Sequence, residues 1–411
     1  MAQGGEAIGR DVTGRVVFVP YAIAGEEVVV EIVEEKRNYA RARLVEIVKP
    51  SSSRVTPRCP HFLPPPSLTG EGRGGDCGGC QWQHIAYDAQ LRFKTDIVRE
   101  QLARIGKIAD APVRDTIGMT DPWHYRNNVQ FQLDDTGRLC FRAMESHALV
   151  PIRECHIIHP LLAEMFRALE FEGADFVEVT LRAGTRTGEK LLMLEGRDEA
   201  LPEISVDEPI SIAYRTPRGD VIPLVGKDAL HEELRGRLFR VSPESFFQVN
   251  TTMAETLIEL VERYLAPRPS DVLLDAFGGV GTFGLLLAPR VARVIEIEEA
   301  PDAVNDAKAN AVELMNVEFQ RGKVEDVLPK SKSPIDLVVA DPPRAGIAPT
   351  AREAIITQLP RAIAYVSCDP ATLARDARQL VNGGYRLVEV QPVDMFPQTY
   401  HIETVSLFAR G

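Results

Sequence analysis

The sequence predicts a multi-domain protein: an OB-like β-barrel at the N-terminus, an α+β middle domain and a C-terminal doubly wound, Rossmann-like α/β domain. Three observations predict it. At 411 residues the chain is too long for one hydrophobic core, since chains beyond about 250–300 residues split into domains. The first 50 or so residues alternate short strand-like runs with turn signals, the pattern of a small all-β unit. From about residue 241 helices and strands alternate, as a parallel sheet covered on both faces requires. The boundaries read 1–52, 53–240 and 241–411.

Within the first unit, "GRVVFVP", "EEVVVEIVEEK" and "YARARLVEIV" are the strands, and Gly14, Pro20-Tyr21 and Gly25-Glu26 mark the turns. Lys36, Arg37, Arg41 and Arg43 cluster with Tyr39, either as a solvated edge or as an RNA-contact surface. "LPPPSLTGEGRGGD" (63–76) reads as an irregular exposed loop. "YDAQLRFKTDIVREQLARIG" (87–106) spaces Leu91, Ile97, Val98, Leu102 and Ile105 as one helix face and ends at Gly106, a suitable cap. Between about 120 and 240, "NNVQFQL", "DFVEVTLRA", "EKLLMLEG" and "PISIAYRT" are strand-like. Beyond 241, Met253, Leu257, Leu260, Val261 and Tyr264 form a helix face, followed by strands at "VLLDAF", "RVIEIE", "DLVVADPP", "IAYVSC", "RLVEVQPV" and "IETVSLF".

Composition narrows the function classes. With 45% hydrophobic and 26% charged residues, cores of normal size can form. No apolar run reaches the roughly 20 residues that span a bilayer, and "MAQGGEAIGR" lacks a signal-peptide core, so a cytoplasmic protein is expected, acting as a monomer. A net charge of −12 argues against indiscriminate nucleic-acid binding; an RNA partner would have to be recognised by shape and pockets. Six cysteines are too few for a disulfide framework, which leaves metal binding or catalysis.

"LLDAFGGVGTFG" follows a strand, and its glycines let the backbone pass close to a ligand. The next strand ends in "IEIEEA", where Glu296 and Glu298 share a face and Glu298 lies nearer the end, placed to accept ribose hydroxyls. A dinucleotide or S-adenosylmethionine fits this pattern. The carboxylate of Asp275 just before the glycines suits a cationic sulfonium better than a pyrophosphate.

Strand ends on one edge of such a sheet carry the chemistry. Asp341-Pro342-Pro343 makes a rigid exit, and Arg344 follows where amino-group methyltransferases place an aromatic residue. Cys368, after "IAYVS", is either a core filler or an exposed nucleophile. A methyl transfer to carbon 5 of a pyrimidine explains a nucleophile here: a thiolate adding to carbon 6 makes carbon 5 electron-rich, and a base must then remove the carbon 5 proton. Glu403, among Ile402, Val405 and Leu407, is the candidate base, and Gln248 in "SFFQVN" the candidate hydrogen-bonding residue. Upstream, Cys59, Cys77-Gly78-Gly79-Cys80 and Cys155 offer four soft ligands, suited by count to zinc or an iron–sulfur cluster, while Cys140 reads as packing.

Together these motifs resemble the RNA 5-methyluridine (uracil-C5) methyltransferase family, in its cluster-bearing branch. "GRVVFVPYAIAGEEVVVEI" is similar to its TRAM domain, "CGGCQWQHIAYDAQLRFK" to its cluster segment, and "SFFQVN", "DAFGGVGTFG", "ADPPRAGI", "VSCDPATLARD" and "HIETVSLF" to its catalytic motifs, in the family's order. The resemblance implies Cys368 as nucleophile and Glu403 as base. It also implies Gln248, Phe277, Glu298 and Asp341 around S-adenosylmethionine, and Cys59, Cys77, Cys80 and Cys155 around a [4Fe-4S] cluster, with zinc the alternative occupant. The implied partner is structured RNA, ribosomal RNA being favoured over transfer RNA. The Cys59–Cys77 spacing is longer than the family's usual gap, and Lys323 and Thr282 depart from its pattern. The competing class is a non-catalytic RNA-binding or cluster-sensing protein that has kept the fold.

Overall fold

The computed structural model describes residues 1–62, 77–144, 146–171, 176–204, 206, 208–331 and 333–411; the loop expected at 63–76 lies outside the described residues. Alternation of small apolar and charged residues builds the N-terminal unit. Strands β1 (Ala7–Arg10), β2 (Val16–Val19), β3 (Glu27–Glu35) and β4 (Tyr39–Lys49) bury Val17, Val19, Ala40, Ala42 and Leu44 on one face. The order is β1-β2-β4-β3, with β1 and β3 as edges, so the expected barrel is an open sheet in its hydrogen bonding. Three residues of the basic cluster pair with acids: Arg41 with Glu6 at 2.8 Å, Lys36 with Glu34 at 2.8 Å, and Arg43 with Glu31.

Helix α1 (Tyr87–Arg104) forms as its apolar spacing predicts. Its end differs from the expectation. The left-handed residue is Lys107 (φ 57°), whereas Gly106 is needed for close approach: a Cβ there would lie 2.6 Å from the Leu102 carbonyl oxygen and 3.1 Å from that of Ala374.

The middle sheet comprises β5 (Asn128–Leu133), β6 (Leu139–Arg142), β7 (Leu149–Pro151), β8 (Phe176–Ala183), β9 (Lys190–Gly196), β10 (Ser211–Arg215) and β11 (Val221–Val225). Its order is β11-β10-β9-β8-β5-β6-β7, and only β9–β10 is parallel. Helix α2 (Pro160–Ala168) contributes Leu162 and Met165 to a core with Phe131, Val179 and Leu194. Cys140 is fully buried in β6 and packs there, as read. A tight hairpin of β12 (Leu230–Leu234) and β13 (Arg237–Val241), turned by Arg235 and Gly236 at positive φ, then packs Leu234, Phe239 and Val241 on α3 (Thr251–Leu265). The predicted α3 face, Met253, Leu257, Leu260, Val261 and Tyr264, is buried throughout.

The C-terminal sheet contains β14 (Val272–Asp275), β15 (Arg293–Glu298), β16 (Val317–Arg321), β17 (Leu337–Ala340), β18 (Ala362–Ser367), β19 (Tyr385–Val393) and β20 (Glu403–Arg410). Between them run α4 (Thr282–Leu287), α5 (Pro301–Asn310), α6 (Val324–Val327), α7 (Pro349–Thr357) and α8 (Pro370–Asn382). The order is β16-β15-β14-β17-β18-β20-β19; β14 to β18 pair in parallel and β20 runs antiparallel to both neighbours. The edge strand β16, "VEFQR", was not among the expected strands, because an only half-buried strand shows no apolar run. Helix α1 belongs to this core: Ile97, Val98 and Leu102 pack with Leu373, Ala374 and Ala377 of α8. Among the described residues no helix is long and apolar enough to cross a membrane.

Candidate active site

Strand order reverses between β15 and β17 around β14, which opens a crevice at the carboxyl ends of the strands. A cleft of about 1150 Å³ lies there, and its walls include Gln248, Phe277, Glu298, Asp341, Cys368 and Glu403. All six cleft residues expected from the sequence therefore come together, although they arise from six separate segments.

The glycine loop follows from packing. Gly278 N–H donates to the Ile297 carbonyl at 3.1 Å, and a Cβ on Gly278 would sit 2.2 Å from Cγ of Glu296. Gly281 caps α4 at φ +90°. Glu298, at the end of β15, accepts from Gly279 N–H at 3.0 Å and Ala300 N–H at 2.8 Å, which fixes its carboxylate at the cleft wall. Glu296 is buried instead; neither of its carboxylate oxygens has a hydrogen-bond partner among the described residues, and burial holds its pKa well above the usual range. Asp275 accepts from Gly284 N–H at 2.7 Å and is pushed up to about 7, chiefly by burial. Asp341 accepts from Gln248 Nε2 at 3.3 Å and also rises to about 7, through burial and then the charge of Asp275.

Cys368 is set by "SCDP". Asp369 caps α8, accepting from Ala371 and Thr372 N–H at 3.0 and 2.9 Å, and Pro370 fills the first helical position. The thiol is therefore held half-exposed between the end of β18 and a helix N-terminus. Antiparallel register pairs Ser367 with Thr404, so one step further along, Cys368 and Glu403 meet at the same sheet edge. Burial pushes the thiol up to about 12, helped by the carboxylates of Glu403, Asp341 and Asp369. Burial, then Asp341, raises Glu403 well above the usual range, and its Oε1 has no partner among the described residues. Burial and the neighbouring carboxylates thus favour the neutral form of both groups in the free cleft.

Some cleft residues escaped the sequence reading. Phe396, from the loop between β19 and β20, lines the wall; its only signal was an apolar pair before Pro397. Gln3 Nε2 donates to Asp369 Oδ2 at 2.9 Å across nearly the whole chain length, a contact no local pattern encodes.

Cys59, Cys77, Cys80 and Cys155 also converge, around a separate cavity of about 230 Å³ shared with His61, Phe62 and His156. The Cys77–Cys80 turn is held by Gly78 N–H on the Arg142 carbonyl at 3.0 Å, and Gln83 Oε1 accepts from Cys59 N–H at 3.0 Å. Burial raises Cys80 most, and the neighbouring Cys155, Cys77 and Cys59 add to it. Among the described residues no group of three or more His, Cys, Asp or Glu side chains is placed to hold a metal ion.

Comparison with known proteins adds the following. Residues 223–410 match a family model described as tRNA (uracil-5-)-methyltransferase, and residues 2–45 match the TRAM domain. An uncharacterized RNA methyltransferase of Caldanaerobacter subterraneus subsp. tengcongensis is 35% identical over 100% of this chain and 96% of its own length. One of Streptomyces avermitilis is 35% identical over 99% of this chain and 96% of its own. Among solved structures, the Pyrococcus abyssi tRNA (uracil-54, C5)-methyltransferase in complex with S-adenosyl-L-homocysteine superposes with a TM-score of 0.74 at 26% identity, covering 98% of this chain and 100% of that one.

Proposed function

Because the chain belongs to the RNA (uracil-5-)-methyltransferase family, we propose that it methylates carbon 5 of a uridine in structured RNA through a covalent bond from Cys368 to carbon 6. The observation that carries this reading is the meeting of Cys368 and Glu403 at one sheet edge, inside a cleft walled by Gln248, Phe277, Glu298 and Asp341.

The donor set fits S-adenosylmethionine. Glu298 presents a fixed carboxylate to ribose hydroxyls, the glycine loop that Asp275 braces admits a close ligand, and Asp341 in the cleft wall supplies negative charge for a sulfonium. When bound, the donor supplies the methyl group and a positive charge. That charge lowers the pKa values of Cys368 and Glu403, which the free cleft holds high. The uridine must leave its stack to reach the cleft. Cys368, as a thiolate whose proton has passed to solvent, would bond through Sγ to carbon 6 while the carbon 5–carbon 6 π electrons shift to carbon 5 and the 4-carbonyl. Carbon 5 would then take the methyl group that a bound donor supplies, leaving the neutral thioether. Glu403 removes the carbon 5 proton, the carbon 5–carbon 6 double bond re-forms, and the Sγ–carbon 6 bond opens.

Cys59, Cys77, Cys80 and Cys155 would hold a [4Fe-4S] cluster, with zinc as the alternative. Four thiols lining one cavity suit an iron–sulfur cluster or a single zinc ion equally well by count. A cluster there would supply a structural cross-link between segments. Iron and acid-labile sulfide assays on anaerobically purified protein distinguish the two.

Glu403→Gln is the direct test of the covalent route. It should accumulate a protein–RNA adduct that survives denaturation, carries the methyl label and requires Cys368. Absence of that adduct would remove Glu403 from the base role. Mapping 5-methyluridine in ribosomal and transfer RNA from cells lacking the gene identifies the substrate.

A further inference from the structure

Helix α1 buries one face in the C-terminal core, and four of the residues buried on it are polar: Thr95, Gln101, and Gln90 and Lys94, the last two both 0% exposed. A buried lysine where the helix pattern calls for an apolar residue is costly, and apolar residues of the same volume often stabilise as well as a buried ion pair. What Lys94 touches suggests why it is there. Its Nζ donates to Asp394 Oδ1 at 2.6 Å and to the Phe396 carbonyl at 3.2 Å, and the Asp394 side chain is equally buried.

Both partners belong to the loop of residues 394–402, which joins β19 to β20, places Phe396 in the cleft wall and delivers Glu403 as the first residue of β20. Gln90 grips the same loop with a reciprocal pair: its Nε2 donates to Gln398 Oε1 at 3.0 Å, and its Oε1 accepts from Gln398 N–H at 3.0 Å. Gln398 sits at φ 70°, a conformation disfavoured for a side-chain-bearing residue and one that needs outside support. Further holds come from Asn250 Nδ2 on the Met395 carbonyl at 3.1 Å and the Tyr125 hydroxyl on the Pro397 carbonyl at 3.0 Å. The loop has no regular secondary structure of its own to fix it, so these contacts set its shape.

We propose that Lys94, with Gln90, is a positioning residue for the reaction: through the 394–402 loop it holds Glu403 and Phe396 against the uridine, and so governs the proton-removal step rather than donor or RNA binding. The inference rests on the covalent reading above, with Glu403 as base.

The experiment compares full-length Lys94→Met, Gln90→Leu and the double variant Lys94→Gln/Asp394→Asn, which removes both charges and keeps a hydrogen bond. For each folded variant, kcat, RNA KM, S-adenosylmethionine Kd by calorimetry and the fraction of enzyme in denaturation-resistant RNA adduct are measured, with Glu403→Gln alongside. Lys94→Met should lower kcat about tenfold or more with RNA KM and donor Kd within about twofold, and adduct should accumulate. Gln90→Leu, which keeps the ion pair, should shift the adduct fraction the same way by a smaller factor, and the double variant should restore it toward the parental value. If Lys94→Met does not fold, Gln90→Leu carries the test. Parental kcat and adduct level in the folded single variants would overturn the proposal, as would losses of kcat matched by losses of donor affinity. Should Glu403→Gln itself trap nothing, the base reading fails; should it trap while the loop variants do not, only this inference falls.

Discussion

Cys368 and Cys80 are both cysteines whose thiols are raised by burial, yet their surroundings differ in kind. Cys368 is half-exposed at the head of α8, faces carboxyl groups and opens on a cleft of about 1150 Å³. Cys80 is 8% exposed, faces three other thiols and closes on about 230 Å³. Burial alone therefore separates neither role from the other. In the roles proposed above, what would distinguish a nucleophile from a metal ligand is what else meets the sulfur: an acid–base partner and room for a planar ring, or more sulfur and little room. The two sites are also neighbours in bonding, since the Gln398 carbonyl accepts from Gln81 and Trp82 N–H, directly after Cys80, at 3.1 and 2.9 Å.

Substitution of each cysteine tests that contrast, and the largest effect is expected at the cleft. Cys368→Ala should lower methyl incorporation by at least about 10⁴-fold, while folding stability stays within about 0.5 kcal/mol of the parent. Cys80→Ala should act the other way round: iron content collapses and the melting temperature drops by roughly 10 °C or more, because metal binding stabilises the fold. Cys140→Ala, in the β6 core, should cost about 1 kcal/mol and leave both iron content and turnover intact. Metal analysis, thermal melts and a labelled-methyl assay on the three variants separate the roles; iron retained at the parental level in Cys80→Ala would collapse the distinction.

Much of the cleft was legible because its residues sit at strand ends, where hydrophobic runs stop and chemistry starts. Cys368, Asp341 and Glu298 each end or follow a buried strand of the sheet, and the Asp-Pro pair after Cys368 announces a helix start. Glu403 was readable for the same reason from the other side, as the head of an antiparallel strand. What stayed hidden needs three dimensions. Phe396 and the Lys94–Asp394 pair act between segments 300 residues apart, and β16 is an edge strand without an apolar signature. Alternating strands do not say whether the outer two will pair, and in the N-terminal unit β1 and β3 stand at the two ends of the hydrogen-bonded order. The sequence left that unit's basic cluster open between a solvated edge and an RNA-contact surface, and the facing acids Glu6, Glu31 and Glu34 are invisible until the strands are registered.

A smaller effect concerns charge in the cleft. Asp341, in the cleft wall, is pushed up to about 7 by burial and then by the charge of Asp275 buried behind it, so its ionisation is expected to grow as pH rises through neutrality. A cationic donor gains from that ionised carboxylate, whereas S-adenosylhomocysteine, lacking the sulfonium charge, does not. The ratio of donor to product affinity should therefore rise about tenfold between roughly pH 6 and 8, and Asp341→Asn should flatten much of that rise. Calorimetric titration of both ligands across this range checks it; a ratio independent of pH would mean the carboxylate does not face the sulfonium. No such dependence is expected of iron content at the cysteine cavity.

The N-terminal segment touches both sites within three residues and so offers the finest probe of their independence. Gln3 donates to Asp369, beside Cys368, and the Gly5 carbonyl accepts from Trp82 Nε1 at 3.0 Å, two residues after Cys80. Asp369 keeps its capping bonds through Oδ1, while Gln3 uses Oδ2, so Gln3→Ala removes the tie between domains without uncapping α8. One partly buried hydrogen bond contributes about 0.5–1.5 kcal/mol, which corresponds to a rise of at most about tenfold in RNA KM if the N-terminal sheet helps seat the substrate. Iron content and kcat should not change. A fall in kcat at constant KM would instead place Gln3 among the groups that set the position of Cys368, and a loss of iron would show that strain at one cysteine site is transmitted to the other through the first five residues of the chain.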